Sequence, residues 1–188
     1  MMNRYFPDIS SHSSHFYIAD YTRKTRSAKG VEISDTPFSD IHYCTVSNPR
    51  NIECWGVNFE KNQGVFKIAN TGEQAKQCEC LIASKNAKKK GWVCLVELKY
   101  CLEQNVVSNS KDAFNQLIAC FDYLKDRDIL DLKIHRVYFN ISIPDHSNKQ
   151  PFNNFSQDIT IDLMKNKSIR LLGSNEIKVL NEGYLATA

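Results

Sequence analysis

The chain has 188 residues, enough to bury one core without disulfides or a structural metal. Hydrophobic residues make up 42% and charged residues 24%, which excludes a disordered chain, and no apolar run approaches the length of a membrane-spanning helix. A net charge of +3 permits a polyanionic partner without requiring one. Seven cysteines, an odd number, argue against a closed disulfide framework. With no signal peptide legible after Met1, the expected location is the cytoplasm, with buried free thiols. A single domain over 1–188 is expected. The bases gather in three places: Arg23, Lys24, Arg26 and Lys29; Lys85 with Lys88, Lys89 and Lys90; and Lys165, Lys167 and Arg170.

In chain order, Phe16 to Ala19 is a short apolar run that reads as a strand. Residues 30–50, with Gly30, Pro37 and Pro49, read as irregular. Gly64 to Asn70 suggests a strand entering a turn at Thr71-Gly72. Gln77 to Ala83 is a second strand, and the polar stretch 84–91 suits a hairpin loop. Trp92 to Tyr100 is apolar on both faces until Glu97, the mark of a central strand covered on each side. A helix follows, with Ser108, Asn109 and Ser110 as N-cap candidates. Its apolar stripe is Phe114, Leu117, Ile118, Phe121 and Leu124. Ile134 to Ile143 alternates as a strand and stops at Pro144. Residues 92–143 therefore spell strand, helix, strand, with the two strands parallel. In the tail, 168–172 and 176–180 suggest a small hairpin, with loose residues after Gly183.

Period two puts Glu97 and Lys99 on one face of their strand. A carboxylate and an ammonium at the end of an apolar strand are costly to bury unless they are paired or functional. Glu79 interrupts the preceding strand in the same way. A hairpin centred on Lys88 sets Glu79 opposite Glu97, whereas a one-residue slip turns it to the other face. Two carboxylates and a lysine suit Mg²⁺ or Mn²⁺, which take oxygen ligands and leave positions for water and phosphate. The lysine stabilises charge growing on phosphorus or positions the attacking water. The general base stays open between the lysine, the metal's own water and a neighbouring phosphate. An ion pair at a strand end is the plain alternative.

Glu79, then Glu97-Leu98-Lys99, then a helix carrying Gln116 and Tyr123, resembles the PD-(D/E)xK nuclease superfamily. The tripeptide matches that family's (D/E)xK, and Glu79 stands where an aspartate is usual, one methylene longer. The resemblance covers about 64–143. It implies an α/β fold, a restriction-endonuclease-like mixed sheet flanked by helices. It implies a metal-dependent nuclease acting on phosphodiester bonds, with DNA the expected substrate. Glu79 and Glu97 would hold the metal and Lys99 the transition state, while Gln116 and Tyr123, seven apart on one helix face, would orient ligands or phosphate. An upstream acid is often present, with Glu53 and Glu60 the candidates. Lys88, Lys89 and Lys90 at the hairpin tip would follow a phosphate backbone, or be a solvated turn. A homodimer is compatible with cutting both strands.

The alternative is a catalytically inactive nuclease-like fold that binds nucleic acid or a protein. Zinc at Cys78, Cys80, Cys94 and Cys101 is disfavoured by the spacing. Cys78, Cys80 and Cys94 are expected on the face opposite the site, under a helix. No phosphate-binding glycine loop or dinucleotide fingerprint is present.

Overall fold

The computed structural model describes residues 2–25, 28–146 and 162–187; Arg26 of the first basic cluster lies outside them. Among these residues eleven strands form two mixed sheets, and one long helix covers one of them. The first sheet takes β1 (Ser10–His12), β5 (Cys54–Asn58), β6 (Cys80–Ser84), β7 (Gly91–Leu98), β8 (His135–Ser142) and β9 (Ile169–Leu172), in that spatial order. Its first four strands run antiparallel, and β7, β8 and β9 are mutually parallel. The second sheet is ordered β11 (Tyr184–Thr187), β10 (Glu176–Asn181), β4 (Cys44–Ser47), β2 (Phe16–Asp20) and β3 (Val31–Ser34).

β7 is the centre. All eight of its residues are buried, as a strand covered on both faces requires. Val93 and Leu95 face the helix α2 (Val106–Asp126), together with Leu81, Val137, Phe139 and Ile141. Ala113, Leu117, Cys120, Phe121 and Leu124 of α2 close that core. Cys94, Val96 and Leu98 face the second sheet and meet Phe16, Ile18, Val46, Ile177 and Val179. The layers are therefore helix, sheet, sheet. One face of the central sheet is covered by a helix and the other by strands, where helices were expected to flank it.

The strand–helix–strand unit and the β6–β7 hairpin stand where the sequence reading put them. Other elements differ. Residues 30–50 carry β3 and β4, each only four residues long. The segment around Gly64 is a 3₁₀ turn, Gln63–Phe66, with Phe66 against Phe59 and Tyr123. α2 begins before its expected caps, behind a 3₁₀ turn at Glu103–Asn105. Ser108 and Asn109 donate instead to the Asn105 carbonyl, and Ser110 to that of Val106. The tail hairpin does not form between 168–172 and 176–180. β9 joins the first sheet beside β8, and β10 pairs with β4 and β11 in the second. The last residues are thus a strand, with Leu185 buried.

Six of the seven cysteines are buried and all are free thiols; Cys101 is half-buried. Cys80 and Cys94 do face away from Glu79 and Glu97, but a sheet covers them, not a helix. Cys78 precedes β6 and turns the other way, its sulfur 3.7 Å from that of Cys120 on α2.

Candidate functional site

The β6–β7 register sets Cys80 against Val96 and Ala83 against Val93. The ladder ends at Cys80, and the Glu79 N–H donates to the Val96 carbonyl at 3.1 Å, one residue out of that register, so the expected pairing of Glu79 with Glu97 is replaced by an irregular step beside Val96. Alternation along the strands turns Glu97 and Lys99 to the helix face. There the Lys99 Nζ donates to Glu97 Oε1 at 2.5 Å and to Gln116 Oε1 at 2.6 Å. Glu97 is 0% exposed and Lys99 2%, so this is a buried pair, not a strand-end contact in water. Burying both charges is expensive without close pairing and added hydrogen bonds, and the Gln116 carbonyl supplies one. Gln116 comes from the first half of α2, whose adjoining Ala113, Leu117 and Cys120 are fixed in the core.

Three more carboxylates gather beside this group. Asp20, Glu60 and Glu79 each offer an oxygen, and these oxygens lie within 4.8 Å of one another. Asp20 ends β2 and accepts the Thr22 N–H at 2.9 Å, in the manner of an N-cap for the short helix α1 (Tyr21–Thr25). Its own N–H donates to the Tyr100 hydroxyl, which burial keeps protonated and which donates onward to the His42 carbonyl. Glu60 follows β5, and its Oε2 accepts the Val31 N–H at 2.8 Å. Gly30 makes room for that carboxylate. Its φ is +72°, and a Cβ there would stand 2.2 Å from Glu60 Oε2.

An open depression of about 300 Å³ is lined by Asp20, Glu60, Glu79, Cys78 and Gln116. A second, of about 400 Å³, is lined by Lys99, Asp112, Asn109 and the same Gln116. Gln77 and Gln116 border both, so the acids and the lysine lie in adjoining depressions that share those two side chains. The oxygen cluster fits a hard divalent cation. Octahedral coordination at ~2.1 Å places ligand oxygens roughly 3 to 4 Å apart, so oxygens within 4.8 Å of one another would draw in slightly to share an ion. The thiol of Cys78 is buried, and that burial pushes its pKa well up.

Glu79, Glu97, Lys99 and Gln116 are thus brought together. Of the two upstream acids considered, Glu60 joins them, whereas Glu53 lies by the hairpin loop, contacting Lys85 and Asn86. Tyr123 is two turns along α2 from Gln116. Its hydroxyl donates to the Val65 and Lys67 carbonyls and its ring stacks on Phe66, so it holds the 3₁₀ turn. Lys88, Lys89 and Lys90 occupy the hairpin tip at the far end of β7, about 20 Å from Glu97 at ~3.3 Å per residue. In the first basic cluster, Lys24 pairs with Asp145 at 2.7 Å, and Lys29 lies over the Tyr21 ring. Asp20 was not singled out from sequence, although it carries the same signal as Glu97, an acid closing an apolar strand.

A separate polar relay joins the sheets at their edge. Ser10 Oγ lies 2.7 Å from His12 Nε2, and His12 Nδ1 2.6 Å from Asp35. The same hydroxyl meets the Gly56 carbonyl at 3.1 Å, and the His12 ring stacks on Phe16. These contacts tie β1 to β5 and to the segment after β3.

Comparisons with family models, curated proteins and solved structures return no match. No helix among the described residues is long and apolar enough to cross a membrane.

Proposed function

We propose that the chain is a metal-dependent nuclease with a restriction-endonuclease-like core, hydrolysing phosphodiester bonds with DNA as substrate. The observation that carries this reading is the placement of the buried Glu97–Lys99–Gln116 group and the Asp20–Glu60–Glu79 cluster in adjoining depressions that share Gln116. Asp20, Glu60 and Glu79 would hold Mg²⁺ or Mn²⁺, while Glu97, expected from the sequence as a second metal ligand, is outside that cluster and holds Lys99 instead. When bound, the metal neutralises phosphate charge and lowers the pKa of its water.

The chain's own side chains do the rest. Lys99 presents a fixed ammonium to its depression, aimed at the charge that grows on the phosphoryl oxygens. Glu97 and Gln116 hold that ammonium by two short hydrogen bonds, so little reorganisation is needed as the charge develops. Gln116 is accordingly a positioning residue. Tyr123, fixed to backbone carbonyls, has a structural part in this scheme.

The test is cleavage of plasmid, linear and single-stranded DNA with Mg²⁺ or Mn²⁺. Wild type is expected to cut, and Glu97→Gln and Lys99→Met to lose at least about a hundredfold, the scale of one lost transition-state contact. Equal activity in all three proteins, or cutting that persists in chelator, contradicts the reading.

A further inference from the structure

The end of the molecule remote from these depressions carries its own assembly of cations. Lys88 and Lys89 are exposed on the β6–β7 turn, with Lys90 beside them. Arg136 stands at the start of β8, on the face turned towards the second sheet. Arg170 projects from β9 on that face as well, exposed. Two open depressions, of about 600 and 220 Å³, meet here and share Lys90 and Arg136. Strands from both sheets, with no common local sequence, converge on this one patch.

Two features separate it from an ordinary solvated surface. First, none of these five cations forms an ion pair among the described residues. Lys24, Lys61, Lys85, Lys99 and Lys167 elsewhere do, while Lys67, Lys111 and Lys133 do not, so it is the gathering of five such cations at one end that sets the patch apart. Glu182 is the one carboxylate lining the larger depression. Second, the arginines are braced. The Arg136 guanidinium donates to the Lys90 carbonyl at 2.6 Å and lies 4.3 Å from the Tyr184 ring centroid. Arg170 approaches the same ring at 5.9 Å and the Tyr138 ring at 6.0 Å. A guanidinium held beside an aromatic ring loses less freedom when its remaining N–H groups meet phosphate oxygens. Gly183 leaves space for Arg136, since a Cβ there would come within 3.2 Å of its Nη1.

We infer that Lys88, Lys89, Lys90, Arg136 and Arg170 form a binding surface for a nucleic-acid backbone, separate from the acidic cluster. A polyanion with regularly spaced charges fits several uncompensated cations spread over a turn and two strands better than a single small anion does. The surface shares its partner class with the proposed nuclease activity but needs no hydrolysis, because it lies on another end and face of the central sheet. A strand held here would be anchored while another part of it reaches the acidic cluster.

The experiment is fluorescence anisotropy on the full chain in chelator, with labelled single-stranded and duplex oligonucleotides across a salt series. Wild type and Glu97→Gln are expected to bind alike. The triple variant Lys88→Glu/Lys89→Glu/Arg170→Glu changes only exposed side chains. It should bind at least about tenfold more weakly, with the log–log salt slope reduced by roughly two to three, at about 0.7–0.9 per lost phosphate contact. Thermal unfolding of that variant should match wild type, which separates lost charge from lost fold. Undiminished binding by the triple variant, no binding by wild type, or preference for anionic vesicles over oligonucleotides overturns the inference. Cleavage without this binding overturns the surface alone, and binding without cleavage overturns the nuclease alone.

Discussion

At the scale of single residues, the candidate site is recognisable by charges in costly places. Glu97 and Lys99 stand out because an apolar strand carries them into the core, and the structure resolves the cost by pairing them with each other and with Gln116. Glu79 was legible for the same reason, once a register was assumed. Asp20 has the same pattern at the end of β2, but its partners are Glu60 and Glu79, 40 and more residues away, and nothing local announces that meeting. Tyr123 shows the converse. It shares a helix face with Gln116, yet two helical turns separate them and the backbone of residues 65–67 takes its hydroxyl. Gly30 supplies the sharpest test at this scale. Gly30→Ala places a Cβ against the Glu60 carboxylate and a side chain at positive φ. It is expected to lower stability by about 1 kcal/mol and to weaken Mn²⁺ binding, because Glu60 must leave both the Val31 N–H and the carboxylate cluster. Unchanged stability in urea with unchanged Mn²⁺ affinity would show that Glu60 is not held as described.

At the scale of elements, local pattern was enough where partners are close in the chain. The β6–β7 hairpin, the apolar stripe of α2 and the alternation of β8 are each contained in a short window, and the parallel β7–β8 pairing follows from the helix between them. The second sheet was hidden because its strands are short and its pairings remote. β4 pairs in parallel with β10, about 130 residues later, and the Gly, Ser and Pro residues around β3 and β4 read as punctuation. The 3₁₀ turn at Gln63–Phe66 was mistaken for a strand because Val65, Phe66 and Ile68 make a brief apolar run. Its geometry is set by Phe66 packing on Phe59 and Tyr123. α2 couples packing to the site, since Leu117 is fully buried next to Gln116. Leu117→Ala should lower stability by about 2–5 kcal/mol in urea unfolding. It should also depress cleavage beyond the unfolded fraction, because Gln116 loses its fixed place beside Lys99. A cost well under about 1 kcal/mol would mean that α2 is not the cover of that core.

At the scale of the whole molecule, the surplus of three positive charges is less informative than its division. Acids line a groove where α2, the central sheet and the end of β2 meet, and uncompensated bases occupy the other end. The cysteines belong to the cores between the layers. Burial pushes Cys44 and Cys54 up to about 12, and Cys78, Cys80 and Cys94 well above their ordinary value. Folded-state values raised above the unfolded ones give stability that is full below about pH 8.5 and is lost as pH rises beyond it. The melting temperature should therefore fall from about pH 9 upward. A thiol reagent should modify native protein first at Cys101, and the remaining cysteines only on unfolding. Fast modification of several thiols in the native state would contradict the layered core.

The proposed chemistry requires Asp20, Glu60 and Glu79 to bind a divalent ion beside Lys99. Calorimetric titration of Mn²⁺ into wild type and Glu79→Gln tests it most directly. Wild type is expected to show a saturable site whose affinity falls at least about tenfold in the variant, as loss of a carboxylate ligand requires. No Mn²⁺ binding by wild type, or equal affinity in the two proteins, would contradict it.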